Sequence, residues 1–506
     1  MTTALKGSQL VLLTLSLSLS IFMNVLDISI ANVAIPTIAG NLAISSDEGT
    51  WIITSFAVSQ AIMLPLTGWL GRRFGEIRLF ILSTFLFTLA SALCGLSTNL
   101  TTLLLFRVIQ GMAAGPMIPL SQSLLLANYP DHQKGFAMGL WAMIAVVGPI
   151  FGPIIGGWIT DNYSWPWIFY INLPVGILSV GLTKILLKGQ ETAITKTPVD
   201  TIGLSLLIVG IGCLQILLDQ GKDLDWFNSN AIIILAIISG IALSFLVVWE
   251  LTEKNPVVDL RLFAKRNFLI GTIVLTSGYL VYFSNVVIFP LWLQTQLGYT
   301  ATWAGLAAAP VGILPVFLTP LVGRYMYKVD LRTIISFGFI IFAFTAFWMS
   351  RMATNVGFEQ LVLPRFMQGI GISCFFTPLI TITIAGLPPE RIASALGLAN
   401  FCRILGGSFG TSLSVTLWSR RETVHQSYLV DHINLFNPIN HHTFQQLTSA
   451  GLSYLQQLAA VTNSITNQAF MLATNDIFWF SGCNFVCLIF LIWLAKPPFQ
   501  MPKLDQ

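Results

Sequence analysis

Residues 103–115 read LLLFRVIQGMAAG, and residues 361–373 read LVLPRFMQGIGIS. Arg107, Gln110 and Gly111 stand 258 positions ahead of Arg365, Gln368 and Gly369. The same offset carries Gly139, Leu140, Gly148 and Gly152 onto Gly397, Leu398, Gly406 and Gly410, and PLTG (65–68) matches PLVG (320–323) at an offset of 255. Similarity maintained over such distances describes a chain built from two equivalent halves.

The medium in which those halves fold follows from composition. Of 506 residues, 55% are hydrophobic and 9% charged, with a mean hydropathy of +0.78. Soluble domains carry about 25% charged residues, so this chain cannot cover a water-facing surface. A soluble enzyme, a nucleic-acid binder and a disordered scaffold are excluded on that ground. The six cysteines all lie in apolar runs without CxxC spacing, which argues against a disulfide framework and a zinc site. No nucleophile–base pair, nucleotide loop or metal-spaced cluster is present, so no enzyme, metal or cofactor is expected.

A span needs about 20 mostly apolar residues. Six such runs fall near 10–35, 50–70, 79–97, 101–127, 136–160 and 166–187, and two near 200–219 and 229–250. Six more lie near 267–291, 301–322, 333–350, 359–385, 392–417 and 470–495. Runs of that length are helices, not barrel strands. The expected fold is therefore an all-α polytopic membrane protein of fourteen transmembrane helices: a six-helix half (1–190), two inserted helices with a linker (191–265), and a second six-helix half (266–506). The first apolar run has no small-residue cleavage site and is expected to be a span, not a signal peptide. With both termini in the cytoplasm, 18 Lys and Arg lie on that side, 4 lie opposite, and Arg107, Arg365 and Arg403 fall within spans. Such asymmetry predicts cytoplasmic termini. The segment 418–469 is the one long external connection, and helical spacing over Thr443–Gln468 predicts a helix or hairpin lying on the outer membrane surface. Its histidines (His425, His432, His441 and His442) are expected to be solvated loop residues.

Asp27 reads as the only carboxylate deep in a span. It shares one helix face with Ser16, Ser20, Asn24 and Ala31. A charge at the bilayer centre is costly and functional by default. Carboxyls removed from water gain proton affinity, which suits proton uptake and release. Arg107 either bonds backbone carbonyls between helices or couples to Asp27 and adjusts its proton affinity; Arg365 and Arg403 favour the structural alternative. Gly148, Gly152 and Gly156 alternate with Pro149 and Pro153, a stripe that admits a close neighbouring helix and a bend. Tight packing alone would explain it. Polar and aromatic residues within central spans, namely Asn24, Trp51, Gln60, Gln110, Trp141, Tyr282 and Asn285, are the expected wall of a substrate cavity. GWLGRRFGEIR (68–78) is a glycine- and arginine-dense cytoplasmic joint.

Parallel six-span repeats of this kind build major facilitator transporters, and the chain resembles that superfamily over essentially its whole length. In particular it resembles the fourteen-span drug:proton antiporters of the EmrB/QacA group. LDISIANVAIPTIA (26–39) is similar to that group's first-helix motif, FRVIQG (106–111) to its fourth-helix motif, and GPIFGPIIGG (148–157) to its antiporter motif. The 68–78 joint resembles the loop 2–3 motif, which implies a gate formed with Gly68, Arg72, Arg73, Gly75 and Arg78. Gly71 departs from that motif, which often carries an Asp there. PMIPLSQSLLLANYP (116–130), the long external segment and IFWF…LAKPPF (477–499) are similar to the EmrB branch. The resemblance implies a proton-driven inner-membrane exporter of hydrophobic drugs and uncouplers, with Asp27 carrying the proton and Arg107 adjusting it. It also implies a periplasmic membrane-fusion adaptor and an outer-membrane channel as partners, with no nucleic acid. A stand-alone pump, a fatty-acid or siderophore exporter, and a transport-inactive receptor are the alternatives.

Overall fold

The computed structural model describes residues 7–44, 46–192, 194, 200–221, 223–254, 256–431, 433 and 438–499, and among them every regular element is a helix. The N-terminal set comprises α1 (Ser8–Leu42), α2 (Ser46–Phe74), α3 (Glu76–Gly95), α4 (Leu100–Asn128) and α5 (Asp131–Asn162). Its sixth span is broken into α6 (Trp167–Tyr170) and α7 (Asn172–Leu186). Next come α8 (Thr201–Gln220) and α9 (Asn230–Thr252). The C-terminal set begins with α10 (Arg266–Thr295), followed by α11 (Ala301–Ala308) and α12 (Ile313–Tyr325), which together form one span. It continues with α13 (Leu331–Met349), α14 (Phe358–Ile384), α15 (Ile392–Asp431), α16 (Pro438–Ser449) and α17 (Tyr454–Ile492).

Thirteen spans among the described residues are long and apolar enough to cross a membrane. The fourteenth expected span lies on α5, whose segment 136–159 carries no charged residue. The turns that separate them are written in local chemistry. Asn99, Asp200 and Asp330 each accept a backbone N–H of the helix they precede, at 2.9 Å, satisfying donors that a helix start leaves open. The Arg332 side chain also donates to Asp330 and holds its carboxyl below the usual range. Gly75, at φ +89°, makes the break between α2 and α3 in a conformation glycine adopts freely. Large apolar side chains form the outer surface: Ile177, Phe317 and Phe490 are about 70% exposed (69%, 70% and 72%), as lipid-facing positions require.

The repeat is visible in the packing. α1 packs on α5, α2 on α4 and α3 on α7, just as α10 packs on α15, α12 on α14 and α13 on α17. The two sets meet where α2 crosses α15 and α5 crosses α12. α8 and α9 pair with each other, and α8 also packs on both α2 and α15, so the inserted helices flank one seam between the sets. The face carrying Ser8 and the α2–α3 turn is called lower here, and the opposite face upper.

Within the segment 418–469 the hairpin alternative is seen: a turn with Gly451 at φ +82° joins α16 to α17, and Gln457 donates to Thr448 (3.1 Å) across it. Most of the segment is the upward continuation of α15 and α17, of 40 and 39 residues. At 1.5 Å per residue such helices measure about 60 Å, twice the hydrocarbon thickness. Trp418 donates to Thr474 (2.8 Å) and packs on Phe470 (4.6 Å), while Arg421 and His425 both bind Asp476 (2.6 and 2.8 Å). The two helices therefore form a paired arm, and His425 is one of its ties, not a solvated loop residue. His432 and the side chain of His441 lie outside the described residues.

Candidate functional site

Asp27 is 2% exposed and sits on α1 facing α4 and α7. Arg107 Nη1 reaches its Oδ2 at 2.5 Å. Gln110 Nε2 and Asn172 Nδ2 both donate to its Oδ1 at 3.0 Å. Arg107, itself fully buried, also donates from Nη1 to Gln110 Oε1 (2.9 Å) and from Nε to the Ile52 carbonyl of α2 (3.0 Å). Its guanidinium lies 4.4 Å from the Phe56 ring centroid. Thus a buried carboxylate accepts three hydrogen bonds, and Arg107 both bonds a backbone carbonyl of α2 and pairs with Asp27.

Depth differs from the expected bilayer centre. Arg107 is the eighth residue of α4, about 10 Å below that helix's upper end, so the pair lies nearer the upper face. Asp27 is also not the only carboxylate on a spanning helix. Glu250 is fully buried on α9, and Asp476 lies on α17. Sequence reasoning missed Asn172, which ties Asp27 to Ser91 (3.0 Å) on α3. Its signal was an amide inside the apolar run YINLPVG (170–176).

The polar face of α1 is occupied within the N-terminal set. Ser16 bonds Ser179 and Thr183, Ser20 bonds Ser179, and Asn24 bonds Gln60 (3.3 Å) and the Ala114 carbonyl (3.2 Å). Asn24 and Gln60 thereby form an internal pair, at 0% and 3% exposure. Trp141 and Tyr282 sit differently. Trp141 stacks on Phe376 of the other set at 5.8 Å, Tyr279 packs on Phe376 at 5.9 Å, and Tyr282 packs on Tyr279 at 6.2 Å. Trp51 is partly exposed near the upper end of α2. Asn285 joins Arg365.

The glycine stripe of α5 faces α1. A Cβ at Gly148 would lie 2.9 Å from Val25 Cγ1, one at Gly156 would lie 3.2 Å from Ile30 Cα, and one at Gly152 would overlap Ser29. The side chains of Pro149 and Pro153 lie outside the described residues.

Contacts between the two sets gather toward the lower face. Arg72 Nη1 donates to Ser394 (2.9 Å), beside Gly68, whose missing side chain leaves room for Ser394. Asn400 donates to Gln122 (2.8 Å). A Cβ at Gly139 would stand 2.7 Å from the Thr319 carbonyl, and one at Gly397 2.8 Å from that of Leu64. Arg73 lies over Trp69 at 5.5 Å. Gly75 abuts Glu191, whose carboxylate accepts the N–H groups of Ile77 (3.0 Å) and Arg78 (2.9 Å) and so caps α3. At Gly71 a side chain would meet Glu76, which accepts from Ser123 (2.7 Å).

The family model of the Major Facilitator Superfamily matches residues 17–411. Multidrug export protein EmrB of Haemophilus influenzae is 52% identical over 496 residues, 98% of this chain and 97% of its own. Fatty acid resistance protein FarB of Neisseria gonorrhoeae is 50% identical over 98% of both chains. A solved proton:xylose symporter, XylE, superposes with a TM-score of 0.58 at 15% identity, covering 96% of this chain and 95% of its own; this likeness concerns the fold alone.

Proposed function

The chain belongs to the Major Facilitator Superfamily, and from that premise we propose that it is a proton-coupled exporter of hydrophobic and amphipathic toxic compounds. The reading rests above all on the buried Asp27–Arg107 pair. Protonating Asp27 removes its negative charge, whereas Arg107 keeps its own at any physiological pH. The tie between α1 and the α2–α4 pair therefore weakens with each proton taken up. A contiguous packed route leads from there to the seam: α1 lies on α5 through the glycine stripe, and α5 lies on α12 at Gly139. Alternating access would use that route, with Arg72, Ser394, Asn400 and Gln122 closing the lower face in the state described.

EmrB is named as a multidrug exporter at 52% identity, which supports efflux as the direction of transport. We place the protein as a multi-pass protein of a bacterial inner membrane with both termini cytoplasmic, driven by the proton gradient without a cofactor. The paired arm of α15 and α17 would rise into the periplasm toward a membrane-fusion adaptor and an outer-membrane channel. The test is drug-dependent proton movement in vesicles. Wild-type protein should move protons when a lipophilic drug is added, and Asp27→Asn should not. Equal proton movement by both would refute the assignment.

A further inference from the structure

A pocket of about 290 Å³ lies at the lower face, beside the contact between Arg72 and Ser394. Three parts of the chain supply its walls. Trp69 and Arg72 come from the end of α2, Lys254, Asp259 and Arg261 from the linker between α9 and α10, and Glu390 and Arg391 from the turn that leads into α15. The N-terminal set, the linker and the C-terminal set thus share one pocket. The linker is held in place there. Val257, Val258 and Leu262 are buried, the Val258 N–H donates to the buried Glu250 (3.2 Å), and Arg261 Nη2 donates to the Glu253 carbonyl (2.9 Å).

The charges in this pocket are poorly matched to one another. Four cations and two carboxylates line it. Asp259 and Arg391 both stand within electrostatic reach of Arg72, so two guanidiniums share one carboxylate. Arg391 meets Asp259 at 3.7 Å, well beyond the roughly 2.8 Å of a charge-assisted hydrogen bond. Trp69 is 9% exposed, and its indole N–H is buried without an acceptor. A donor left in that state is costly. A small anion with several acceptor oxygens would relieve both faults at once. At about 290 Å³ the pocket stands at the lower limit of ligand sites, so it suits a polar group of that size and not a drug.

We propose that this pocket holds a phosphate group, with the guanidiniums of Arg72, Arg261 and Arg391 as its cationic partners and the Trp69 N–H as a further donor. Guanidinium forks match phosphate oxygens in geometry as well as charge, and basic pockets at the cytoplasmic ends of spanning helices suit lipid headgroups. The phosphodiester of an anionic phospholipid in the lower leaflet and free inorganic phosphate offer the same chemistry. Bound between α2, the linker and the start of α15, either one ties the two helix sets together and favours the closed lower face. The site lies apart from Asp27, and it does not depend on the export reading.

Phenylglyoxal modification of Arg391, read by mass spectrometry on the full chain, tests this. The protein is delipidated in a phosphate-free maltoside detergent in chloride. It is then compared with the same preparation carrying inorganic phosphate at equal ionic strength, or phosphatidylglycerol. Arg78, whose side chain is 70% exposed near the same face and outside the pocket, is the internal reference. Modification of Arg391 relative to Arg78 should slow by about tenfold with one of the two additions. Protection by phosphatidylglycerol identifies a lipid site, and protection by inorganic phosphate a site for the free anion. Equal slowing of both arginines, or slowing with neither addition, would overturn the proposal. The protecting anion should also raise the Tm. That rise should vanish when Arg261→Gln and Arg391→Gln are combined, and survive in Lys265→Gln, which removes a linker charge outside the pocket. A rise lost equally in Lys265→Gln would reduce the effect to the net charge of the lower face and refute the site. If the double variant does not fold, the labelling of wild-type protein decides alone.

Discussion

Asp27 and Asn285 hold equivalent places in the two helix sets, 258 positions apart, and each accepts a hydrogen bond from the arginine of its own set. Asp27 does so through its side chain, Asn285 through its backbone carbonyl. The correspondence extends outward. Asn172 of the sixth span donates to Asp27 (3.0 Å), and Ser481 of the last span donates to Asn285 (3.2 Å). One ancestral arrangement is thus present twice, titratable in one copy and neutral in the other. The titratable copy is the N-terminal one, where the proposed proton site lies.

Asp27→Asn should therefore abolish drug-dependent proton movement, and it should also destabilise the protein. Removing one partner strands the other charge in a buried site, at a cost of about 3–5 kcal/mol. Asp27→Asn with Arg107→Met should recover most of the lost thermal stability in detergent without recovering proton movement. A double variant no more stable than the single one would show that the pair does not act as a unit.

Asn285→Asp makes the complementary change. It puts a carboxyl on the residue whose backbone carbonyl accepts from Arg365, a buried cation whose Nε has no hydrogen-bond partner. The expected result is a raised Tm, because the new anion compensates a charge already buried. Combined with Asp27→Asn, it should not restore export, since Arg365 lies in the set that lacks the α1–α5 route. Restored drug-dependent proton flux in that combination would mean that either copy can serve.

Much of this was legible in the sequence. Offsets of 255 and 258 exposed the repeat, and apolar runs located the spans, because lipid forces both backbone satisfaction and length. The Asp27–Arg107–Gln110 cluster was half visible: each residue stood out singly as a polar group in an apolar run. The pairing of Arg107 with Asp27 stood as one of two alternatives, whereas the turn of Gln110 toward the same carboxylate was not read. Asn24 and Gln60 looked like cavity wall and turned out to satisfy each other inside one set, a matter of helix rotation that span assignment leaves open. Glu191 and Asn172 went unnoticed because capping and second-partner roles come from contacts distant in sequence. The length of the arm was not legible for a related reason. Hydropathy reports where lipid ends, whereas α15 and α17 simply keep winding beyond it.

Gly152→Leu tests the stripe. Its side chain would be driven into Ser29 on α1, and overpacking costs about 1–3 kcal/mol. Membrane insertion should remain near normal while export falls sharply, because the helix carrying Asp27 loses its bearing on α5. Gly157, where an added Cβ meets nothing within 4 Å, provides the control, and Gly157→Ala should export normally. Equal loss in both variants would assign the effect to helix α5 itself, not to its contact with α1.

The lower seam permits a symmetric test. Gly139→Val and Gly397→Val each push a branched side chain toward a carbonyl of the opposite set, 2.7 and 2.8 Å from the first added carbon. Both should wedge the lower face open. The readout is reaction of a cysteine placed at Gln122 with a membrane-impermeant thiol reagent applied from the lower side. Labelling should rise about tenfold in either variant, with export lost. Unchanged labelling would show that the seam accommodates the added bulk without opening.

The arm makes the last prediction. Its base is fastened by Trp418, Arg421 and His425 to Phe470, Thr474 and Asp476, and Gln426 donates to Thr466 (3.2 Å) just above. Beyond these ties the two helices run on past the hydrocarbon, exposing Tyr428 (64%), Tyr454 (71%) and Leu455 (76%). Large apolar side chains left that open on a projecting element suit contact with another molecule better than contact with water. Deleting 430–463 and joining the ends with a short glycine–serine linker keeps every tie at the base. The shortened protein should insert normally, keep its Tm and bind ligand as wild type in nanodiscs. Whole-cell resistance should fall, together with cross-linking of the arm to a periplasmic partner. Two results would exclude a docking arm: full resistance after deletion, or loss of ligand binding in the purified protein, which would make the arm a lid over the cavity instead.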